Sequence, residues 1–334
     1  MESTLPSTSI EFDANGDVVH GSAAAIAGFV KQNGLTELIF HTHGFNNSRD
    51  GALRIAGDYF GAMKGVLTAH APHKTGVGYC AVIWPSEALV VQFGQIAVRA
   101  ETVGSRGLAR VVNEVRRLAA DSALKIHLSG HSLGARLSSY ALLGLDAPVR
   151  SLFLIQGALS AWSFAFDVVE VNPVNSGVTF VGKLVGLKND LRGALAAVRD
   201  RAEFIGATES RSDGDLWGYA AAAVGPGVVI DLLSNALGLP LSAQSIPKAE
   251  ELLGIIAPPI STKAEAIPLG LVGLMEGKFQ HLQTEVDAVD PGVRYTGLRD
   301  RFGSFNFNGR ISGHNDFRRA DVAWAHLTTA AIVS

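Results

Sequence analysis

Short apolar runs alternate with stretches of helical spacing through the first half of the chain. Residues 38–43 are a short strand candidate, and 77–84 an apolar run of strand length stopped by Pro85. Between them, residues 48–68 place Leu53, Ala56, Tyr59, Phe60 and Met63 at helical spacing, which predicts a helix with one buried face. Residues 97–120 repeat the pattern with Val98, Val103, Leu108, Val111, Val112, Val115 and Leu118, and set Arg110, Arg116 and Arg117 on the wet side. A strand is predicted over 125–129, a helix over 135–145 and a further strand over 151–156. Strands alternating with helices of this length predict βαβ crossovers, hence an α/β fold with a mostly parallel central sheet flanked by helices.

Beyond residue 160 the pattern loosens. Residues 189–201 have helical spacing, 202–208 read as a strand, 280–289 as the last strand and 320–333 as a closing helix. Residues 217–275 are rich in Ala, Gly, Leu, Ile and Pro, and Pro240, Pro247, Pro258, Pro259 and Pro268 cut them into short pieces. They read as a helical insertion packed over the sheet, lid-like in composition, inside a single domain.

Composition narrows the class. The chain has 334 residues, of which 47% are hydrophobic and 18% charged, enough apolar material for a large core and too much for disorder. Net charge is −3 and the 28 basic residues are scattered, so no electrostatic surface for nucleic acid is expected. The one cysteine, Cys80, lies in the apolar run 77–84; it excludes a disulfide framework and a cysteine zinc site and reads as a buried, inert thiol. Residues 1–15 carry no basic segment followed by an apolar one. The uncharged runs 151–166 and 216–230 are shorter than the ~20 residues a membrane span needs. A soluble, cytoplasmic chain is expected.

Candidate chemistry centres on Gly130-His131-Ser132-Leu133-Gly134. The pentad G-x-S-x-G is weak alone, but here it follows a predicted strand and opens a predicted helix. In that context the serine sits on a sharp bend that lifts its hydroxyl above the sheet. The two glycines are needed because a Cβ at either position would strike the neighbouring strand or helix. The following helix aims its positive end and unpaired N–H groups at the same place.

These residues resemble the nucleophile elbow of the α/β-hydrolases. The chain is most similar to a largely uncharacterised bacterial branch of serine hydrolases, through His43-Gly44-Phe45-Asn46-Asn47-Ser48 as the oxyanion loop and Trp84-Pro85-Ser86 after the next strand. The resemblance runs from about residue 38 to 327 and excludes 217–275. It implies an α/β-hydrolase fold with Ser132 as nucleophile and the N–H of Leu133, with that of Phe45 or Asn46, as oxyanion donors. His314, in the loop Ile311-Ser312-Gly313-His314-Asn315-Asp316, is implied as the general base. The other late histidines are His281 and His326. The acid is implied on the loop after strand 202–208, where the motif Thr-x-Ser-x-x-Asp falls on Thr208, Ser210 and Asp213. Asp215, Asp287 and Asp290 are the alternatives, and any of the four can equally be a loop or cap residue. The order Ser132, Asp213, His314 is the one this fold imposes.

The resemblance thus implies an esterase or lipase-like enzyme with a small-molecule or lipid ester as substrate and no cofactor. Two alternatives stay open: a binding protein of the same fold without turnover, and a bacterial effector that degrades membrane lipid. His41 and His43 alternate on the first of these strands, a possible metal pair, but no carboxylate or third histidine follows at ligand spacing, so no metal is expected. Asn46 and Asn47 can donate side-chain hydrogen bonds or cap the helix that begins near Ser48.

Overall fold

The computed structural model describes residues 6–88, 93–120, 123–159, 163–164, 195–210, 283–285, 294–299, 302–307 and 310–333. In chain order its strands are β1 (Ser7–Phe12), β2 (Val18–His20), β3 (Glu37–Thr42), β4 (Val77–Ile83), β5 (Lys125–His131), β6 (Val149–Ile155), β7 (Ala202–Glu209), β8 (Gln283–Glu285), β9 (Arg294–Arg299) and β10 (Phe302–Asn306). They form one sheet in the order β2-β1-β4-β3-β5-β6-β7-β10-β9-β8. Every neighbouring pair from β1 across to β10 is parallel, and β2, β9 and β8 add antiparallel margins. The expected mostly parallel α/β architecture is therefore present.

Every residue of β3 and β4 is buried, which is why β4 reads as a continuous apolar run with no alternation. Helices α1 (Ala23–Gln32), α3 (Phe93–Thr102), α4 (Ala109–Ala119) and α5 (Leu133–Ala141) belong to one core with Leu38, Phe40, Val82, Leu128, Leu152 and Leu154. Helices α2 (Arg49–His70) and α6 (Ala320–Thr329) close the other face, packing Tyr59, Phe60, Met63, Val322 and Leu327 with Ile39, Tyr79, Phe153 and Ile155. Cys80 is fully buried in the first core, and burial pushes its thiol pKa up, as its place in an apolar strand led us to expect.

Three expectations need correction. The helix predicted over 97–120 is divided by a widened π turn, Val103–Leu108. There Gly104 lies so close to α5 that a Cβ would stand 2.2 Å from the Leu137 carbonyl oxygen. The strand predicted over 280–289 is not the last; β9 and β10 follow it, and the described part of that run, β8, lies at the sheet margin. Finally, 196–201 form a 3₁₀ turn where α-helix was expected. The insertion predicted over 217–275 lies outside the described residues. No helix among the described residues is long and apolar enough to cross a membrane.

Candidate active site

Strand β5 ends at His131, α5 begins at Leu133, and Ser132 between them has φ 56° and ψ −122°. For a residue with a Cβ this is a strained conformation, costing on the order of 1–3 kcal/mol. Three hydrogen bonds hold it. The Ser132 N–H donates to the Ile155 carbonyl at the end of β6 (2.9 Å), and the Ser132 carbonyl accepts from Ala135 (3.0 Å) and Ala158 (3.1 Å). The glycines on either side are dictated by contact. A Cβ on Gly130 would lie 2.1 Å from the Gly134 carbonyl oxygen, and one on Gly134 would lie 2.2 Å from that of Thr42 and 2.4 Å from that of His43. Ser132 thus stands at the amino end of α5, where first-turn N–H groups, that of Leu133 among them, have no partner within the helix.

The loop after β3 reaches the same bend. A Cβ on Gly44 would come within 3.0 Å of both the Ser132 Cβ and the His131 Nδ1. His43 is fastened to β4: its Nδ1–H donates to the Gly44 carbonyl (2.9 Å) and its Nε2 accepts the Trp84 N–H (3.2 Å). The Trp84 indole N–H in turn donates to the His43 carbonyl (2.9 Å), and the two rings stack at 5.8 Å. Burial holds this imidazole neutral, with its pKa lowered to about 4. Asn46 has φ 57° and gives its N–H to the Ser86 carbonyl (2.9 Å). Its N–H, one of the two oxyanion candidates in this loop, is therefore already bonded. Asn47 ties its own loop, donating from its side chain to the Gly44 and Phe45 carbonyls (3.1 and 3.0 Å) and from its N–H to Ser86 Oγ (3.1 Å). The cap of α2 is Ser48, whose Oγ accepts from the Gly51 N–H.

His314 is brought to the bend. The His131 ring lies 4.7 Å from the His314 ring, and the His131 Nε2 is 2.6 Å from the His314 carbonyl oxygen. Residues 312–316 form a compact turn in which Asp316 accepts from the Ser312 N–H (3.1 Å) and Oγ (2.9 Å), while its own N–H donates to Gly313 (2.9 Å). Thr208, near the end of β7, is buried, and its Oγ1 accepts the Gln156 N–H (2.8 Å); Ser210, just past the strand, is also buried. Asp213, Asp215, Asp287, Asp290 and His281 lie outside the described residues. His326 sits inside α6, fully buried, with its Nδ1 3.1 Å from the Tyr59 hydroxyl and its ring stacked on Phe153 at 4.8 Å.

His41 and His43 do not act as a pair. The strand ends at Thr42, so His41 packs against Tyr59 and Phe60 on the α2 face while His43 stacks on Trp84, which belongs to the opposite core. Both nitrogens of His43 are already bonded, and His41 Nδ1 faces Ser129 Oγ (3.0 Å) in a setting whose burial lowers its pKa to about 3. Among the described residues, no group of three or more His, Cys, Asp or Glu side chains is arranged to hold a metal ion. Sequence reading did not single out Gln156, which carries φ 45° at the end of β6 and donates from its side chain toward the Gly313 carbonyl (3.4 Å). Nothing in its sequence surroundings signals this, because the contact depends on which strand ends adjoin. Ser86 was marked only through the Trp-Pro-Ser resemblance; it supports the loop at Asn46 and Asn47. No family model matches the chain, and no curated protein matches it.

Proposed function

We propose that the chain is a serine hydrolase of the α/β-hydrolase fold that cleaves a carboxylic ester through an acyl-enzyme. One observation carries the reading: Ser132 is held at positive φ on a strand–bend–helix junction, and the loop of His314 is bonded to the residue beside it. A structural turn has no use for a strained serine at the carboxyl edge of a parallel sheet, where such sheets place their ligands. In this mechanism His314 takes the Ser132 proton as Oγ attacks the ester carbonyl carbon. The oxyanion is stabilised by the N–H groups of Leu133 and Phe45; losing one such donor typically costs ~10²–10³ in rate. His314 then protonates the leaving alcohol, and water hydrolyses the acyl-serine by the same route reversed. Asp213 fixes the tautomer of His314 and stabilises its protonated form. The carboxylic ester rests on the resemblance carried by 43–48 and 130–134, and its apolar acyl part on the sequence of 217–275.

The test is labelling by a fluorescent organophosphonate, with turnover of p-nitrophenyl esters measured alongside. Wild type is expected to label and Ser132→Ala is not. Equal labelling of both removes Ser132 as nucleophile, and labelling of neither, with no turnover, favours a binding protein.

A further inference from the structure

We infer that His131 is a positioning residue for His314: it clamps the base through the backbone, a role that rests on the hydrolase reading for its catalytic consequence. The partner atom is a carbonyl oxygen, which only accepts, so the shared proton resides on His131 Nε2. Burial keeps this imidazole neutral, lowering its pKa well below the usual value, with the nearby His314 adding to the effect. Its single proton is therefore committed to the 2.6 Å bond, and Nδ1 lies on the Gly44 side, where it carries no proton. The ring is immobilised on both sides, stacked on Phe317 at 4.1 Å and lying 4.7 Å from His314. Gln156 holds the preceding carbonyl, that of Gly313, from the end of the next strand.

Two successive carbonyls of the His314 turn are thus tied to the ends of β5 and β6. The same β5 terminus carries Ser132. Nucleophile and base are referenced to one strand end, so their separation does not depend on the exposed side of the 312–316 turn. A general base must stand within ~3 Å of its proton donor, and a misplacement of about 1 Å costs on the order of 10²-fold in rate.

The experiment compares His131→Leu, His131→Asn and His131→Gln in the full chain. The Gln amide nitrogen reaches roughly the place of Nε2, while that of Asn stops near Nδ1 and falls short of the carbonyl. Leu and Asn are expected to lower kcat for a p-nitrophenyl ester by roughly 10- to 100-fold with KM changed less than about twofold, per site titrated by the organophosphonate. Gln is expected to recover most of the loss. The second readout is the His314 ring signal in ¹⁵N-histidine NMR, assigned with His314→Ala; it should shift in the Asn and Leu variants and return with Gln. Unchanged kcat in Leu and Asn overturns the inference, as does an equal loss in all three variants, which marks mere packing. If the wild type neither labels nor turns over, the hydrolase reading fails by itself. The NMR comparison still decides the clamp: a His314 signal indifferent to His131→Asn and His131→Leu sinks it.

Discussion

Gly134→Ala adds one methyl group at the point where α5 crosses the end of β3. Its Cβ would stand 2.2 Å from the Thr42 carbonyl oxygen, 2.4 Å from that of His43 and 2.7 Å from the Thr42 carbonyl carbon. Ordinary contact begins near 3.4 Å, so about 1.2 Å must be recovered. All three obstacles are backbone atoms, two of them on Thr42 at the end of a strand paired on both sides, with β4 and β5, and the third on His43 just beyond it. No rotamer change relieves them; the first turn of α5 must lift away. Overpacking of this kind costs ~1–3 kcal/mol, and more where the neighbour is rigid. The lift carries Ser132 with it, relative to the Phe45 N–H, by a distance that in other enzymes costs about 10²-fold in rate.

Gly61→Ala is the matched control. It makes the same chemical change inside α2, where an added Cβ meets nothing within 4 Å and should stabilise the helix by about 0.5–1 kcal/mol. Urea unfolding and the rate of organophosphonate labelling are measured on both variants. We expect Gly134→Ala to lose at least ~1 kcal/mol and most of its labelling rate, and Gly61→Ala to lose neither. Wild-type stability and labelling in Gly134→Ala would show that the bend tolerates what the geometry forbids.

Acid should destabilise the fold well above the carboxylate range. Burial lowers the pKa of His41 to about 3 and of His43 to about 4, and depresses His127, His131 and His326 as well. Between the unfolded value near 6.5 and these folded values the unfolded chain binds protons the folded one refuses. Stability is therefore complete above pH ~6.5 and falls as pH drops, by at most about 1.4 kcal/mol per pH unit for each histidine and roughly 2 kcal/mol by pH 5 from each of His41 and His43. Urea midpoints at pH 7.5, 6 and 5 check this, and a flat series contradicts it. For the acid of the triad, Asp213→Asn should reduce p-nitrophenyl ester hydrolysis by orders of magnitude while Asp215→Asn does little; the reverse pattern moves the role to Asp215.

The strands that could be read from sequence are those buried on both faces. β4 is a long apolar run closed by Pro85, and β3 and β6 carry the apolar stretches 38–40 and 152–155. β1 was missed because Ser7, Thr8 and Ser9 give it a polar first half, and only Ile10 and Phe12 reach the core. β9, with the sequence RYTGLR, has no apolar period at all and pairs antiparallel with both its neighbours. Within the site, Gly130 and Gly134 were legible because their requirement is local: strand, bend and helix meet within five residues. The roles of His131 and Gln156 were not, since each acts on a turn more than 150 residues away in sequence. The split of the helix at 103–108 was equally hidden, since it answers to a carbonyl of α5.

Of the five described non-glycine residues with positive φ, three stand just past the ends of β3, β5 and β6: Asn46, Ser132 and Gln156. Each is held by its N–H reaching the end of an adjoining strand: Asn46 to the Ser86 carbonyl just beyond β4, Ser132 to the Ile155 carbonyl of β6, Gln156 to Thr208 Oγ1 of β7. A net ~1 kcal/mol per hydrogen bond does not by itself offset ~1–3 kcal/mol of strain, so packing of the buried side chains must make up the difference. Ser132 and Gln156 are buried to within a few per cent, as are Trp84, Ser86 and Thr208 around them. The unfavourable backbone is thus concentrated on one edge of the sheet and over-determined there by neighbours from β4, β6 and β7. That distribution is what a site needing a fixed hydroxyl at Ser132 would use, because the bend cannot relax without disturbing three strand ends at once.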